Sequence, residues 1–224
     1  MLKGLAACGG AGVAGYLAYA GTRWCLYLRV KRDETDPLLD RFMPASDAAE
    51  FHHVPVAAPT AVTYWAAANL DLMQSAVIRA VFKGRAWILR AKPNDFAGPR
   101  SLLDQMKALG WCVLAEIPGR EIVMGAATQP WVADTVFRPT PADRFAAFHE
   151  SGYVKIVWTI RADPSGGSAS IASTETRVVT TDPAAREKFR WYWSCFSPGI
   201  VLIRKIALRM VKKEAERRAR RPVT

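Results

Sequence analysis

Three polar residues at alternating positions, Ser173, Glu175 and Arg177, form the most chemically capable group in this 224-residue sequence. Side chains two residues apart on a β-strand share one face, so these three lie together, with Thr174 and Thr176 on the opposite face. If their face lines a cavity, the carboxylate and the guanidinium can neutralise each other and orient the polar head of a ligand. The same spacing also produces an exposed cross-strand salt bridge, and strand parity does not choose between the two.

Histidine and cysteine residues form no recognisable catalytic or metal-binding motif. His52 and His53 point to opposite faces of a strand, so at most one faces the interior, and spacing identifies no partner for His149. The four cysteines, at positions 8, 25, 112 and 195, include no CxxC pair. The sequence also lacks G-x-S-x-G, HExxH and a phosphate-binding glycine loop. It therefore predicts no metal, no cofactor and no catalytic residue.

Large apolar side chains are the other source of a binding site. Half of the residues are hydrophobic and eight are tryptophan, and an indole offers an apolar wall with one hydrogen-bond donor. Ordinary core packing accounts for most of them. The candidates for lining a cavity are Trp158, Ile156, Glu175, Arg177, Trp193, Trp65 and Met124.

An antiparallel sheet must position the strand candidates. Strand patterns cover residues 50–56, 111–117, 121–127, 131–137, 153–161 and 168–179. The second and third flank the turn Pro118-Gly119-Arg120, and the last two flank a turn rich in glycine. Within 153–161, apolar and mostly polar positions alternate, which indicates one buried face and one wet face.

Helical patterns separate and follow these strands. Residues 60–70 and 71–81 predict two short helices, 82–100 an irregular segment, and 101–109 and 141–150 single turns. Asp182 and Pro183 open a final helix as N-cap and first residue. Its apolar stripe passes Pro198, which predicts a kink rather than an end, and a stripe this long must lie against the sheet. The stripe consists of Phe189, Trp193, Phe196, Ile200, Ile203, Ala207 and Met210.

Positive charge is concentrated at the C-terminal end. The net charge is +11, and residues 182–224 contain twelve Lys/Arg against four Asp/Glu. This distribution suits contact with anionic lipid, and a solvated helix end accounts for it equally well. Nucleic acid is disfavoured because no aromatic residues interleave with the basic ones. The candidates for membrane contact are Arg29, Lys31, Arg32, Lys212, Lys213, Arg217 and Arg218.

The N-terminal segment is apolar enough to suggest a membrane anchor. Residues 5–28 would span roughly 36 Å as a helix at about 1.5 Å per residue, and the basic flank on their C-terminal side would place the domain in the cytoplasm. A signal peptide cleaved after Ala18-Tyr19-Ala20 is one alternative. The other is a segment lying against the membrane or the domain.

Short stretches of the chain resemble the START-like or SRPBCC superfamily, which has a helix-grip fold. They are HVPVAAP at 53–59, LAEIPGREIVMG at 114–125 and STETRV at 173–178. The order strand, two short helices, antiparallel strands and long C-terminal helix is similar as well. The resemblance implies a deep cavity between helix and sheet for lipids or other hydrophobic molecules, and supplies no catalytic motif.

Together these observations predict an α+β helix-grip fold, with a curved antiparallel sheet around a long C-terminal helix and an apolar N-terminal helix. Residues 1–32 are predicted to be a transmembrane or membrane-associated helix, 33–48 a linker, 49–215 the START-like domain and 216–224 a basic tail. The predicted function is non-enzymatic binding, carriage or sensing of a lipid-like molecule at a membrane surface. A cyclase- or dehydratase-like enzyme of the same fold and a non-binding scaffold with a filled core are the alternatives.

Overall fold

The computed structural model of the chain describes residues 36–92 and 101–220, with positions 15, 18, 19, 21 and 22 of the N-terminal segment. It has the predicted α+β, helix-grip architecture. In chain order the elements are α1 (Pro37–Asp40), β1 (Ala48–Val56), α2 (Thr60–Ala68), a 3₁₀-helix (Leu72–Gln74), α3 (Ala76–Leu89), α4 (Leu102–Ala108), β2 (Cys112–Ile117), β3 (Glu121–Thr128), β4 (Phe137–Pro139), α5 (Ala142–Phe145), β5 (Val154–Pro164), β6 (Ser170–Thr180) and α6 (Pro183–Ala219).

The strands form one antiparallel sheet in the order β1-β6-β5-β3-β2, with β4 paired to β3. Its two faces alternate along β5 and β6. Trp158 lies opposite Thr176 on the face towards α6, here called the inner face, and Val157 lies opposite Arg177 on the outer face. The central strand β3 is buried along its whole length because both faces are covered.

Helix α6 begins as the sequence predicts. The Asp182 side chain accepts a hydrogen bond from the Ala185 amide at 2.8 Å, and Pro183 is the first helical residue. The helix then runs for 37 residues and continues through Pro198. Its stripe packs on the inner face in two clusters, one around Phe189 and Val178 and the other around Leu208 and Ile160. Burial of this stripe holds the helix against the sheet.

The outer face is covered by α1 and α5. Leu39 of α1 and Phe145 of α5 are fully buried against Leu114, Val123 and Val157. Residues 36–47 therefore pack onto the sheet, although their polar, proline-containing sequence suggested a linker. The short helix forms because Asp36 caps it, accepting a hydrogen bond from the Leu39 amide at 2.9 Å.

Two further segments differ from the sequence prediction. Residues 82–89, predicted to be irregular, complete α3, because Gly84 is tolerated inside the helix and the chain leaves it only at Arg90, which has a left-handed φ of 54°. Residues 131–136, predicted to be a strand, form a loop before the short β4. In that loop the Thr135 hydroxyl donates to the Val132 carbonyl, a local bond that replaces strand pairing.

The predicted single N-terminal anchor is not supported. Among the residues that the structure describes, no helix has the length and apolar character needed to cross a membrane. Most of residues 5–28 lie outside the described part of the chain, as does the alternative cleavage site at Ala20.

Candidate ligand cavity

A cavity of about 1060 Å³ lies between α6 and the inner face of the sheet. The sheet contributes apolar walls at Ile156, Trp158 and Ile160, and α6 contributes its stripe. Helices α3 and α4 and the loop 129–136 cover the remaining sides. The aromatic stripe and the alternating pattern of β5 therefore meet across an open space and do not fill it.

Helix α3 is a weakly embedded wall of the cavity. Ile78 is its only fully buried side chain, and the rest of the helix is half-buried or exposed. Arg85 ties the helix to its neighbours: its guanidinium donates to the Pro130 carbonyl at 3.0 Å, the Thr135 hydroxyl at 2.7 Å and the Tyr192 hydroxyl at 3.4 Å. A helix held by polar contacts at one residue can be displaced at lower cost than one with a buried apolar face.

The rim of the cavity is apolar and open to solvent. Ile88 of α3, Leu109 after α4 and Val136 of the loop line the cavity, and each has at least half of its side chain exposed. Exposed large aliphatic residues that converge on a cavity are typical of an entry route for a hydrophobic molecule.

One charged side chain, Arg204 of α6, reaches the sheet from within the stripe. Its Nη1 donates to the Thr174 hydroxyl at 3.3 Å and its Nη2 to the Thr176 hydroxyl at 2.5 Å. Its Nε is buried and has no hydrogen-bond partner. Among the described residues Arg204 makes no ion pair. Burial, with no compensating carboxylate, lowers the pKa of Arg204 to about 10.

Thr174 fixes the inner-face end of this network. Its hydroxyl accepts from Trp158 Nε1 at 2.8 Å and from Arg204, and it donates to the Thr159 carbonyl at 2.8 Å. A hydroxyl has one donor and two acceptor positions, so Thr174 is saturated. The indole of Trp158 is thereby held in place as a cavity wall.

The structure brings some of the predicted cavity residues together and separates others. Ile156, Trp158 and Trp193 line the cavity. Met124 is fully buried in the inner-face core but is not part of the wall. Trp65 is on the outside of α2, 43% exposed, with the Arg218 guanidinium 3.5 Å from its ring centroid. The sequence did not predict that Trp65 is exposed. Helix α2 is apolar on most sides, so its apolar row does not identify the buried side.

Glu175 and Arg177 do not face the cavity. Both are buried on the outer face, where Arg177 Nε donates to Glu175 Oε1 at 2.5 Å. Arg177 Nη1 donates to Asp40 Oδ1 at 2.5 Å and to the Met43 carbonyl at 2.8 Å. The pair is thus neither a ligand clamp nor the exposed salt bridge of the alternative, but a buried tie between α1 and the sheet. Strand parity predicted that the two share a face and could not identify which one.

The basic end of the chain is part of α6. Lys212 pairs with Glu216 at 2.5 Å and donates to the Pro55 carbonyl, while Arg217 and Arg218 both pair with Glu214 at 2.7 Å. Lys213 is exposed. The other candidates for membrane contact, Arg29, Lys31 and Arg32, lie outside the described residues.

Sequence reasoning missed Arg204, although a signal exists. The residue follows Ile200 by four positions and precedes Leu208 by four, so it is a charge on the apolar side of the helix. A long basic side chain can lie along an apolar surface with its charged group in water. In a chain with 31 Lys/Arg, a single arginine on an apolar helix face is therefore easily taken for an ordinary surface residue.

No protein-family profile matches the chain, and no curated protein sequence matches it. Solved structures do match. The Zhui aromatase/cyclase from Streptomyces sp. R1128 is 16% identical, with 77% of this chain and 96% of that chain covered and a TM-score of 0.27. Protein CV1439 from Chromobacterium violaceum is 11% identical, with 69% and 96% covered and a TM-score of 0.26. Such TM-scores carry no argument about ligand or activity. The chain is a helix-grip protein by its own element order and sheet topology.

Proposed function

We propose that this helix-grip protein binds a hydrophobic small molecule in the cavity between α6 and the sheet. The observation that supports this proposal is the cavity itself, about 1060 Å³ with mostly apolar walls. Ligand sites of drug-sized molecules span roughly 300–1,000 Å³ and are mainly apolar with a few polar groups. Each methylene group moved from water into such a site contributes about 0.8 kcal/mol.

Packing provides the second argument. Protein interiors are normally packed as densely as organic crystals, and apolar space left open costs the contacts of every side chain that lines it. Trp158, Trp193 and Phe196 all border the open space. A bound apolar molecule restores those contacts, whereas the scaffold alternative requires a filled core.

Entry is proposed to occur past α3. The apolar rim of Ile88, Leu109 and Val136 lies at this side, and Arg85 supplies the polar contacts that hold the helix closed. Displacement of α3 exposes the aromatic wall without unfolding the sheet. The superfamily resemblance is compatible with carriage or sensing by the same site. The cyclase-like alternative relied on Glu175, which lies on the outer face, so no observation favours it.

Binding can be tested with N-phenyl-1-naphthylamine, an uncharged dye whose emission rises in apolar surroundings. The purified full chain is first stripped of bound hydrophobes on a hydrophobic resin. We expect saturable binding in the micromolar range or tighter. Ala207→Phe places a ring in the cavity from the α6 stripe and is expected to weaken binding at least about tenfold, since it removes space for the dye.

Ala219→Phe is the matched control, because Ala219 is an exposed residue near the end of the same helix. It adds the same ring outside the cavity and is expected to leave dye affinity unchanged. Absence of saturable binding by the unmodified chain, or equal weakening by the two variants, would overturn the proposed function.

A further inference from the structure

Arg204 lines the cavity and has unused hydrogen-bond donors. A guanidinium has five N–H donors, and in Arg204 two of them reach Thr174 and Thr176. The remaining three, including the buried Nε–H, have no protein partner among the described residues. Both partners are neutral hydroxyls, so the positive charge is hydrogen-bonded but not neutralised.

Arg161 and Arg85, which also line the cavity, have different polar partners. Arg161 is ion-paired with Asp36 at 3.3 Å and with Asp163 at 2.7 Å. Arg85 uses its donors on a backbone carbonyl and two hydroxyls that hold α3. Neither has the combination found at Arg204, a buried unpartnered donor and no carboxylate.

A buried charge without a counter-ion is expensive, because desolvation is not offset by attraction to an opposite charge. Side chains perturbed in this way cluster at functional sites, where a ligand can supply the missing charge. Arg204 and Trp158 donate to the same Thr174 hydroxyl, and both line the cavity with Ile200 and Ile203 of the stripe. An anion reaching it must therefore carry an apolar body.

We infer that Arg204 binds the carboxylate of an amphipathic acid, so that the ligand class is a monocarboxylic acid with a long or polycyclic apolar body. This inference rests on the proposed binding function and specifies its substrate. The planar fork of a guanidinium matches a carboxylate, and one such group neutralises one negative charge. A dianionic phosphate would leave a net buried charge, which disfavours it as the head group.

The binding geometry also gives the acid a structural role. Arg204 spans from α6 to Thr174 and Thr176 of β6. A carboxylate on its free donors adds a charge-assisted contact at the junction between helix and sheet. The acid therefore stabilises the folded chain more than an uncharged molecule of the same length.

The test compares dodecanoate with dodecan-1-ol, which share an apolar chain and differ in head charge. Each displaces N-phenyl-1-naphthylamine from the full chain below its own aggregation concentration. We expect the acid to bind about tenfold more tightly or better, since hydrogen bonds to charged groups are the strong ones. Arg204→Met should reduce this ratio to about one.

Arg209→Met is the matched control, because Arg209 is an exposed arginine of the same helix, and it should keep the full preference. Arg204→Lys keeps the charge and is expected to retain a reduced preference. If Arg204→Met fails to fold, the unmodified chain decides with dodecylamine, whose cationic head should make it the weakest of the three ligands.

Each outcome is decisive. A tenfold preference that disappears only in the Arg204 variant supports the assignment. Equal affinities of the unmodified chain for acid, alcohol and amine, with the dye still bound, would overturn the role of Arg204 and leave the cavity as a binding site. Failure of the dye and of all three compounds to bind would overturn the proposed function itself.

Discussion

Two arginines packed on opposite sides of the same strand, the fully buried Arg177 and the half-buried Arg204, have opposite surroundings. Arg177 lies on the outer face against two carboxylates and a carbonyl. Burial lowers its pKa, but hydrogen bonds to Glu175 and Asp40 outweigh that effect and raise it. Arg204 lies over the inner face with hydroxyls alone, and burial lowers its pKa. The ion-paired Arg177 fixes structure, whereas Arg204, which has no counter-ion among the described residues, is available to a ligand.

Packing shows the same contrast between the faces. On the outer face a Cβ added to Gly125 would come within 2.5 Å of Leu114 and 2.8 Å of Phe145, so there is no space for one methyl group. On the inner face about 1060 Å³ is open. The outer face is therefore tightly packed around Gly125, whereas the inner face leaves open space beside its own packed clusters.

Replacing each of the two arginines, Arg177 and Arg204, with methionine is the strongest test of the difference between the outer and inner faces. Arg177→Met leaves Glu175 and Asp40 facing each other without a cation, and removing one partner of a buried ion pair costs about 3–5 kcal/mol. Arg204→Met removes a half-buried charge without a counter-ion and two hydrogen bonds to neutral groups, so these opposing effects should leave stability within about 1 kcal/mol. Urea unfolding of the ligand-free chain measures both.

Arg209→Met serves as the baseline, since it is exposed on the same helix as Arg204. Equal destabilisation by the two buried substitutions would show that Arg204 is also a structural tie, and the distinction between the faces would fail. A larger loss of stability for Arg204→Met than for Arg177→Met would reverse the assignment of structural and ligand-binding roles to the two arginines.

Steric substitutions provide a second, smaller contrast. Gly125→Ala adds one methyl group to the outer face and should destabilise the chain by about 1–3 kcal/mol, because Leu114 and Phe145 must move. Ala207→Phe adds a whole ring to the inner face and should cost less, because the ring enters open space. Thermal unfolding of the two variants gives the order.

A lower stability for Ala207→Phe than for Gly125→Ala would mean that the inner side is packed as tightly as the outer one. Val123→Ala, which shortens a fully buried outer-face side chain next to Gly125, provides the reference for the outer-face packing. It creates a void and should also destabilise.

The sequence predicts the turns and helix start that frame the two faces well, because these features depend on local signals. The hairpin around Gly119, the turn at Gly166 and the Asp182-Pro183 helix start all depend on nearby residues, and the structure has each of them. The grip of the helix on the sheet follows from the length and period of the stripe.

The sequence could not show which face of β6 lies towards the cavity. Alternation in β6 predicts two sets of side chains, and the choice between them depends on where α1 packs, a contact about 135 residues distant in the chain. Helix α1 was missed because it has four residues with one buried side chain, Leu39, too few to show a helical period. Arg204 was missed because its distinguishing property is that no carboxylate lies beside it among the described residues. Only the three-dimensional structure shows this property.

The last contrast is a pH dependence confined to the outer face. Glu121 lies at the start of β3, opposite Arg161, and is buried. Burial first, then its hydrogen bond to Asp36 and the charges of Asp36 and Asp163, raise the pKa of Glu121 from 4.5 to about 8, against the opposing charge of Arg161. The Glu121 carboxyl is therefore protonated in the folded chain at neutral pH.

This protonation sets the sign of the pH effect. Between about pH 5 and 8 the folded chain holds a proton that the unfolded chain has lost. The contribution of Glu121 is thus complete below its ordinary pKa and is lost as the pH rises through 8. The free energy of unfolding should fall by at most about 1.4 kcal/mol per pH unit across this range and then level off.

Urea unfolding from pH 5.5 to 9 measures this slope, and Glu121→Gln, which stays neutral, should flatten it by up to one proton and be the more stable form above pH 8. Dye affinity over the same range provides the comparison. Arg204 keeps its charge there, because its pKa of about 10 lies higher. Affinity should therefore not change while stability does. A dye affinity that follows the Glu121 titration would show that the two faces are coupled, and that the outer face controls the cavity as well as the fold.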